Sequence, residues 1–481
     1  MNKKREGDNF RVKPQLLPKV PTKIKGLDEV LNGGLPEGRL TIVSGGPGAG
    51  KTIFGLELLV RGIEAGNPAV FISFEESGKA MRQNALSMGW DLSKIEKNDK
   101  LALITPEIDF DAVSSGEFHI DGLCAILEGQ ARRINAKIIV IDAVDMLMRL
   151  YNTPERARSQ FVTLNRWLVK QNLTAVMTVK ETEDAHTVYD YLDFMADCVI
   201  KLDQRVHEQV TTRRLHVTKY RGSDFSNREH PFVITRQGIV VMPLTSLDLV
   251  QQSIGKLISS SNEKLDVVLG GGFRKGSSVL ISGPSGSGKT TLAFMLSEGA
   301  AKRGERVLYL NFEQSELSLS SEMKSVGFDL QSQIENGNLR IVPVMPESMG
   351  MEEHLYSIIF KIEDYKPDHI VLDAISATDR IGSSQAALDF LIRLYHVAKK
   401  RNITCIYTNQ TISSKKDELI ISGVGISSLV DTAILLNYFR DNDRIGRSVL
   451  VLKSRGTRHS DRYHEFRITD EGIVIVDSAN N

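Results

Sequence analysis

Two lysines, Lys51 and Lys289, each close a glycine-rich frame of the kind that cradles phosphate. The first frame reads Gly45, Gly46, Pro47, Gly48, Ala49, Gly50, Lys51, Thr52; the second reads Gly283, Pro284, Ser285, Gly286, Ser287, Gly288, Lys289, Thr290, with Thr291 next. In such a frame the glycines let successive backbone N–H groups point at phosphate oxygens, and the lysine reaches the β- and γ-phosphates. The hydroxyls of Thr52 and Thr290 are then placed to meet Mg2+, the expected metal. The chemistry implied is the binding and breaking of a nucleoside triphosphate, twice in one chain.

Further candidates surround each frame. Asp142 ends the apolar run Ile138 to Ile141 and Asp373 ends Ile370 to Leu372, where a carboxylate can hold water on Mg2+. Asp145 reads as a surface or capping residue. Glu75 and Glu76 follow another apolar run, as do Glu313 and Gln314, and a carboxylate there can orient or deprotonate attacking water. We take Glu75, Glu76 and Glu313 as the candidate catalytic acids. Near the end of each half stands a Lys-x-Arg-Gly turn, Lys219 with Arg221 and Lys453 with Arg455. Charge protecting an edge strand is the plain reading. The repetition favours cations offered to a neighbouring subunit's triphosphate, which requires a ring of subunits.

These residues need elements to hold them. Each frame follows a β-type run (Leu40 to Val43; Val279 to Ile281) and leads into a helix-like stretch (Ile53 to Leu59; Thr291 to Leu296), the context the motif demands. Elsewhere β-branched runs such as Ala69 to Ile72, Thr174 to Val179, Arg306 to Leu310 and Thr404 to Thr408 alternate with amphipathic stretches. Continuous apolar strands separated by helices predict an α/β fold, a mostly parallel sheet with helices on both faces, in each half. A last segment, Arg447 to Lys453, predicts antiparallel strands at the edge.

The halves are copies. Leu27-Asp28 and Leu265-Asp266, Gly33-Gly34 and Gly271-Gly272, and Phe74-Glu75 and Phe312-Glu313 keep the 238-residue offset of Lys51 and Lys289; Lys219 and Lys453, like Phe232 and Phe466, stand 234 apart. A period of this length is a domain. We expect an arm over 1–20, a first domain over 21–245, a serine-rich linker over 246–262 and a second domain over 263–481. In 481 residues, 60 basic side chains balance 60 acidic ones, so no net field draws the protein to nucleic acid or to a membrane surface. Cys124, Cys198 and Cys405 lack metal-ligand spacing and read as core thiols of a cytoplasmic protein. The N-terminal residues have no apolar region behind their charges, and no run is long enough to span a bilayer.

With these motifs in view, the chain resembles the KaiC family of tandem RecA-like ATPases, from about Lys25 to about Val476. The resemblance rests on the duplicated Leu-Asp-x-x-Leu-x-Gly-Gly lead-in, the Phe-Glu-Glu segment, and the Lys-x-Arg-Gly turn followed by Phe232 or Phe466. It implies a homohexameric double ring with ATP between neighbouring subunits. It also implies slow hydrolysis in the first ring and, in the second, autokinase and autophosphatase activity on adjacent hydroxyl residues, in signalling or timing. The matching segment places the acceptors at Ser427 and Ser428; the first half carries Asp193 and Phe194 there and cannot accept phosphate. The chain ends at Asn481, soon after the run Gly472 to Val476, so KaiA, which binds a longer C-terminal segment in the clock system, is not expected; a KaiB-like partner is compatible with the resemblance. The competing readings are a RecA-like nucleic-acid motor or recombinase, which would show salt-sensitive binding, and a scaffold ring glued by ATP, for which Gln314 speaks in the second half.

Overall fold

The computed structural model describes residues 16–106, 120–151, 153–181, 190–207, 210–243, 255–328, 330–380, 384–411, 426, 429–470 and 472–476. The chain divides into two compact units, Met1–Ser246 and Leu247–Asn481. In the first, nine strands form one sheet: β1 (Leu40–Gly45), β2 (Ala69–Ser73), β3 (Leu101–Ile104), β4 (Ile138–Asp142), β5 (Thr174–Lys180), β6 (Cys198–His207), β7 (Val210–Tyr220), β8 (Glu229–Thr235) and β9 (Gly238–Val241). Their spatial order is β9-β8-β7-β6-β1-β5-β4-β2-β3. The six from β6 to β3 run parallel, and β7, β8 and β9 extend the edge antiparallel.

The second unit repeats this order with β10 (Ser278–Gly283), β11 (Val307–Asn311), β12 (Leu339–Pro343), β13 (His369–Asp373), β14 (Thr404–Gln410), β15 (Thr432–Asp441), β16 (Arg444–Ser454), β17 (His464–Thr469) and β18 (Gly472–Ile475). Both halves are therefore α/β units with a mostly parallel sheet, as the alternating runs imply. Among the described residues, no helix is long and apolar enough to cross a membrane.

The pleat explains why the central strands are apolar throughout. In the first unit Val43, Phe71, Val140 and Val176 face one layer, where helix α1 (Lys51–Glu64) packs; Ile42, Val70, Ile139 and Met177 face the other, against α3 (Ile120–Ile134) and α5 (Pro154–Lys170). Between them in sequence lie α2 (Gly78–Ser87) and the short α4 (Val144–Met148), and α6 (Asp190–Met195) precedes β6. Helix α1 sits close on β4: a Cβ on Gly55 would stand 2.8 Å from Val140 Cγ1, and one on Gly62 2.5 Å from Ile138 Cδ1. The close approach fixes the helix whose first turn carries Lys51 and Thr52. All three cysteines are free and buried, and burial pushes their thiols up, Cys124 to about 11 and Cys198 and Cys405 to about 12.

Residues 257–262, read from the sequence as the end of a linker, belong to the second unit. Leu257–Ile258 pair with Phe273–Arg274, and the Asp266 carboxylate accepts from Ser259 Oγ at 2.5 Å and Ser260 N at 2.7 Å. In the first unit Asp28 likewise accepts from Thr22 N and Thr22 Oγ1, each at 2.7 Å. The repeated Leu-Asp lead-in is thus a clamp on the chain entering each unit.

One buried acid lies outside the site. Glu57 on α1 is 2 % exposed and accepts from Ile239 N at 2.6 Å, beneath the β8–β9 turn. Burial pushes its carboxyl up to about 7, against that hydrogen bond and Arg61 at 3.6 Å. The second unit has the buried Met295 at this position. A folded-state value above the unfolded one means that stability is full at low pH, falls as pH rises from about 4.5 to about 7, and is level above. Glu57→Gln keeps an acceptor for Ile239 and removes the charge, so its stability advantage should grow by roughly 2–3 kcal/mol between pH 5 and pH 8. Denaturant unfolding of the first unit at the two pH values checks this; an unchanged difference would refute it.

Candidate active sites

Helix α1 and its counterpart α7 (Lys289–Lys302) begin at the frame lysines, with Gly50 (φ 100°) and Gly288 (φ 101°) as their N-caps. No side chain caps either helix, which leaves first-turn N–H groups for an anionic ligand. The left-handed backbone recurs at Gly48 (φ 73°) and Gly286 (φ 72°), where a side chain would be strained. Lys51 Nζ donates to the carbonyls of Gly45 at 2.8 Å and Gly46 at 2.9 Å, and Lys289 Nζ to Pro284 O at 2.8 Å. Burial lowers the pKa of both lysines. Asp142, Glu75 and Asp145 oppose the shift at Lys51, and Asp373 and Glu313 oppose it at Lys289. Both ammoniums thus sit at the loop beside the carboxylates expected of them.

Asp142 is 2 % exposed and accepts from Thr52 Oγ1 at 2.9 Å and from the Thr178 hydroxyl. Burial pushes its carboxyl up, while the two hydroxyls and Lys51 pull it down. A hard carboxylate oxygen joined to a threonine hydroxyl suits Mg2+. Asp373 receives the Thr408 hydroxyl, but its other oxygen accepts from Tyr309 Oη at 2.7 Å. Tyr309 is fully buried, its phenol held well above the ordinary range by burial and then by Asp373. The first unit has Phe71 at that position. Tyr309 was illegible in the sequence because a tyrosine inside an apolar strand reads as core. Thr290 is half-buried at its loop; Thr291 is buried.

The two adjacent glutamates part company. Glu75 shares the field of Asp142, Asp145, Lys51 and Lys180, and its carboxyl is pushed up by burial first and then by Asp142 and Asp145. Glu76 turns away: its carboxylate accepts from Asn84 Nδ2 on α2 at 2.9 Å, and its N–H donates to Ser73 Oγ at 3.1 Å. In the second unit Glu313 lies in the field of Lys289 and Tyr309. Gln314 donates from Nε2 to Glu322 on α8 (Glu316–Lys324) at 3.0 and 3.1 Å. Gln314 therefore stands where Glu76 does, in a tie to the following helix with donor and acceptor exchanged. Only Glu75 and Glu313 share the environment of the loop lysines.

Asp145 is not a surface residue. It is fully buried on α4, accepts from Lys180 N at 3.1 Å, and lies 3.5 Å from Arg149. A spacing of three residues from Asp142 looks like capping in sequence, and only the fold turns it inward.

Each Lys-x-Arg-Gly turn stands beside a β-bulge. The β6–β7 register shifts between Val199 and Ile200, next to Lys219, and the β15–β16 register shifts between Ala433 and Ile434, next to Lys453. A bulge re-aims the side chains that follow it. Lys219 Nζ donates to the carbonyls of Asp193 (2.7 Å) and Phe194 (2.9 Å), and Arg221 to Phe194 O at 2.7 Å; Lys453 Nζ donates to Val430 O at 2.7 Å. Arg221 N and Arg455 N bond the carbonyls of Asp197 and Asp431 at 2.8 and 2.9 Å. The turns are fastened to the segment preceding β6 or β15. Ser427 and Ser428 lie in the latter segment, outside the described residues.

A parallel core with a phosphate loop at the end of β1, an aspartate ending β4 and an acidic residue just beyond β2, all present twice, defines a tandem RecA-like P-loop ATPase. The family model described as "ATPase: KaiC" matches residues 20–246 and again 258–480. The chain is 36% identical over 465 residues to the circadian clock protein KaiC2 of Synechocystis sp., covering 96% of this chain and 82% of that one. It is 34% identical to the circadian clock oscillator proteins KaiC of Picosynechococcus sp. (100% of this chain, 93% of the relative) and Synechococcus elongatus (97% and 91%). The chain belongs to the KaiC family of ATPases.

Proposed function

We propose that the chain assembles as a homohexamer in which the first half hydrolyses ATP and the second moves phosphate from ATP to Ser427 and Ser428 of a neighbouring subunit and back again, in signalling or timing. The observation that carries this reading is the electrostatic grouping at each loop. Lys51 is coupled to Asp142 and Glu75, and Lys289 to Asp373 and Glu313. Each half thus keeps a phosphate-binding ammonium, a metal-side carboxylate and a base.

Thr52 and Asp142 in the first half, and Thr290 and Asp373 in the second, would hold Mg2+. When bound, that cation neutralises the charge on the β- and γ-phosphate oxygens. Gly45 to Gly50 and Gly283 to Gly288 offer backbone N–H groups to the phosphates, with Lys51 and Lys289 at the terminal end. Glu75 orients water and accepts its proton as the water attacks the γ-phosphorus; the bond to the β-bridging oxygen breaks and ADP leaves. Glu313 accepts the proton of a serine hydroxyl in the same way. Lys219, Arg221, Lys453 and Arg455 complete a neighbour's site from the outer side. A KaiB-like protein is the partner this family would bring.

ATP should therefore promote a hexamer, and Lys51→Ala or Lys289→Ala should weaken it. Light scattering at micromolar protein with Mg-ATP tests the assembly, and a persistent monomer would refute it. A phosphosite map after incubation with Mg-ATP tests the second activity.

A further inference from the structure

The two sites differ by a coupled pair. In the first unit Lys180 ends β5 in register with Gly45, and Glu181 N donates to Gly45 O at 3.0 Å. In the second, Gln410 ends β14 in register with Gly283, and Thr411 N donates to Gly283 O at 3.1 Å. The main-chain N–H at each position is held from the same side: Asp145 takes that of Lys180 at 3.1 Å, and Ser376 Oγ that of Gln410 at 3.4 Å. The supporting hydrogen bond is kept while its chemistry changes. An acid with a base in one half becomes a hydroxyl with an amide in the other.

The exchange conserves charge. Around the first loop stand Lys51 and Lys180 with Asp142, Asp145 and Glu75; around the second, Lys289 with Asp373 and Glu313. Packing alone does not call for an added lysine, because Ser376 and Gln410 fill the same places. Lys180 is half-buried and close enough to Lys51 for the two ammoniums to repel, an arrangement that a polyanion between them relieves. It also shares the field of Glu75, the group assigned to the attacking water. With the inner phosphates at the helix N-terminus, the terminal phosphate would extend toward Lys51 and Glu75, whose field Lys180 shares.

We propose that Lys180 is a second cation of the first site, acting within its own chain on the terminal phosphate of ATP and positioned by Asp145, and that this pair gives the first half a preference for ATP over ADP that the second half lacks. The inference rests on the ATP-binding reading of the first loop. An ammonium reaching only the γ-phosphate strengthens triphosphate binding and leaves diphosphate binding alone.

The test uses the full chain with Lys289→Ala, so that the first loop reports, and displaces a fluorescent nucleotide with ADP or AMP-PNP in the presence of Mg2+. Lys180→Gln should weaken AMP-PNP about tenfold with ADP unchanged. Lys180→Arg, which retains the charge, should preserve the ratio. Asp145→Ser, which keeps an acceptor for Lys180 N, should lower the ratio by less. With Lys51→Ala instead, Ser376→Asp together with Gln410→Lys should raise the second loop's ratio. Equal weakening of both nucleotides by Lys180→Gln, or an unaltered ratio, would overturn the proposal. If the parent failed to bind either nucleotide, the ATP reading would fall and this inference with it.

Discussion

Glu75→Gln should lower steady-state ATP turnover by about 10²-fold or more, the usual loss for a positioned general base, whereas Glu76→Gln should change it less than twofold. The two residues are neighbours in sequence and both acidic. Their surroundings separate them: Glu75 shares the field of Lys51, Asp142 and Asp145, and Glu76 is tied to Asn84. Gln at position 76 can still bond Asn84 through its amide oxygen, so the fold should tolerate it. The raised proton affinity of Glu75 brings it toward the operating pH, where a base works best. Turnover by the wild type should therefore fall on acidification before Glu75 would protonate at its ordinary value. Inorganic phosphate release by both variants at pH 7 checks the prediction, and equal losses would refute it.

Ser427→Ala combined with Ser428→Ala should abolish incorporation of labelled γ-phosphate, with ATP turnover by the first half kept. A serine hydroxyl is a poor nucleophile at neutral pH, so transfer needs a carboxylate to take its proton and near in-line geometry. Glu313 is the base, and Glu313→Gln should give the same loss with the acceptors intact. Mixing Glu313→Gln with the double-serine variant should restore labelling if subunits exchange and transfer crosses the interface. Undiminished labelling in the double-serine variant would remove the acceptor assignment and leave an ATPase without an autokinase.

What was legible in the sequence shares one physical trait: a short stretch of backbone dictated it. The phosphate loops demand glycines at Gly48, Gly50, Gly286 and Gly288, whose positive φ excludes side chains. Asp142 and Asp373 stand out because a charge ending an unbroken apolar strand either caps the next helix or serves a ligand, and the phosphate loops call for a metal-side carboxylate. The parallel sheets followed from strands buried on both faces. What stayed hidden depends on residues far apart in sequence. Asp145 joins the site by accepting from Lys180, and Tyr309 by donating to Asp373. A serine-rich composition at residues 257–262 hid the Asp266 clamp, and adjacency hid the divergence of Glu76 from Glu75.

The reversed tie between strand end and helix also limits which intermediate pairings that contact tolerates. Glu76 with Asn84, and Gln314 with Glu322, are the same contact with opposite polarity. Two substitutions separate one pairing from the other. One route passes through two facing amides, which still bond each other. The other passes through two facing carboxylates, which have no proton to share at neutral pH and repel. Exchanging one pairing for the other should therefore keep the contact only when the existing acid is removed before the opposite one is introduced.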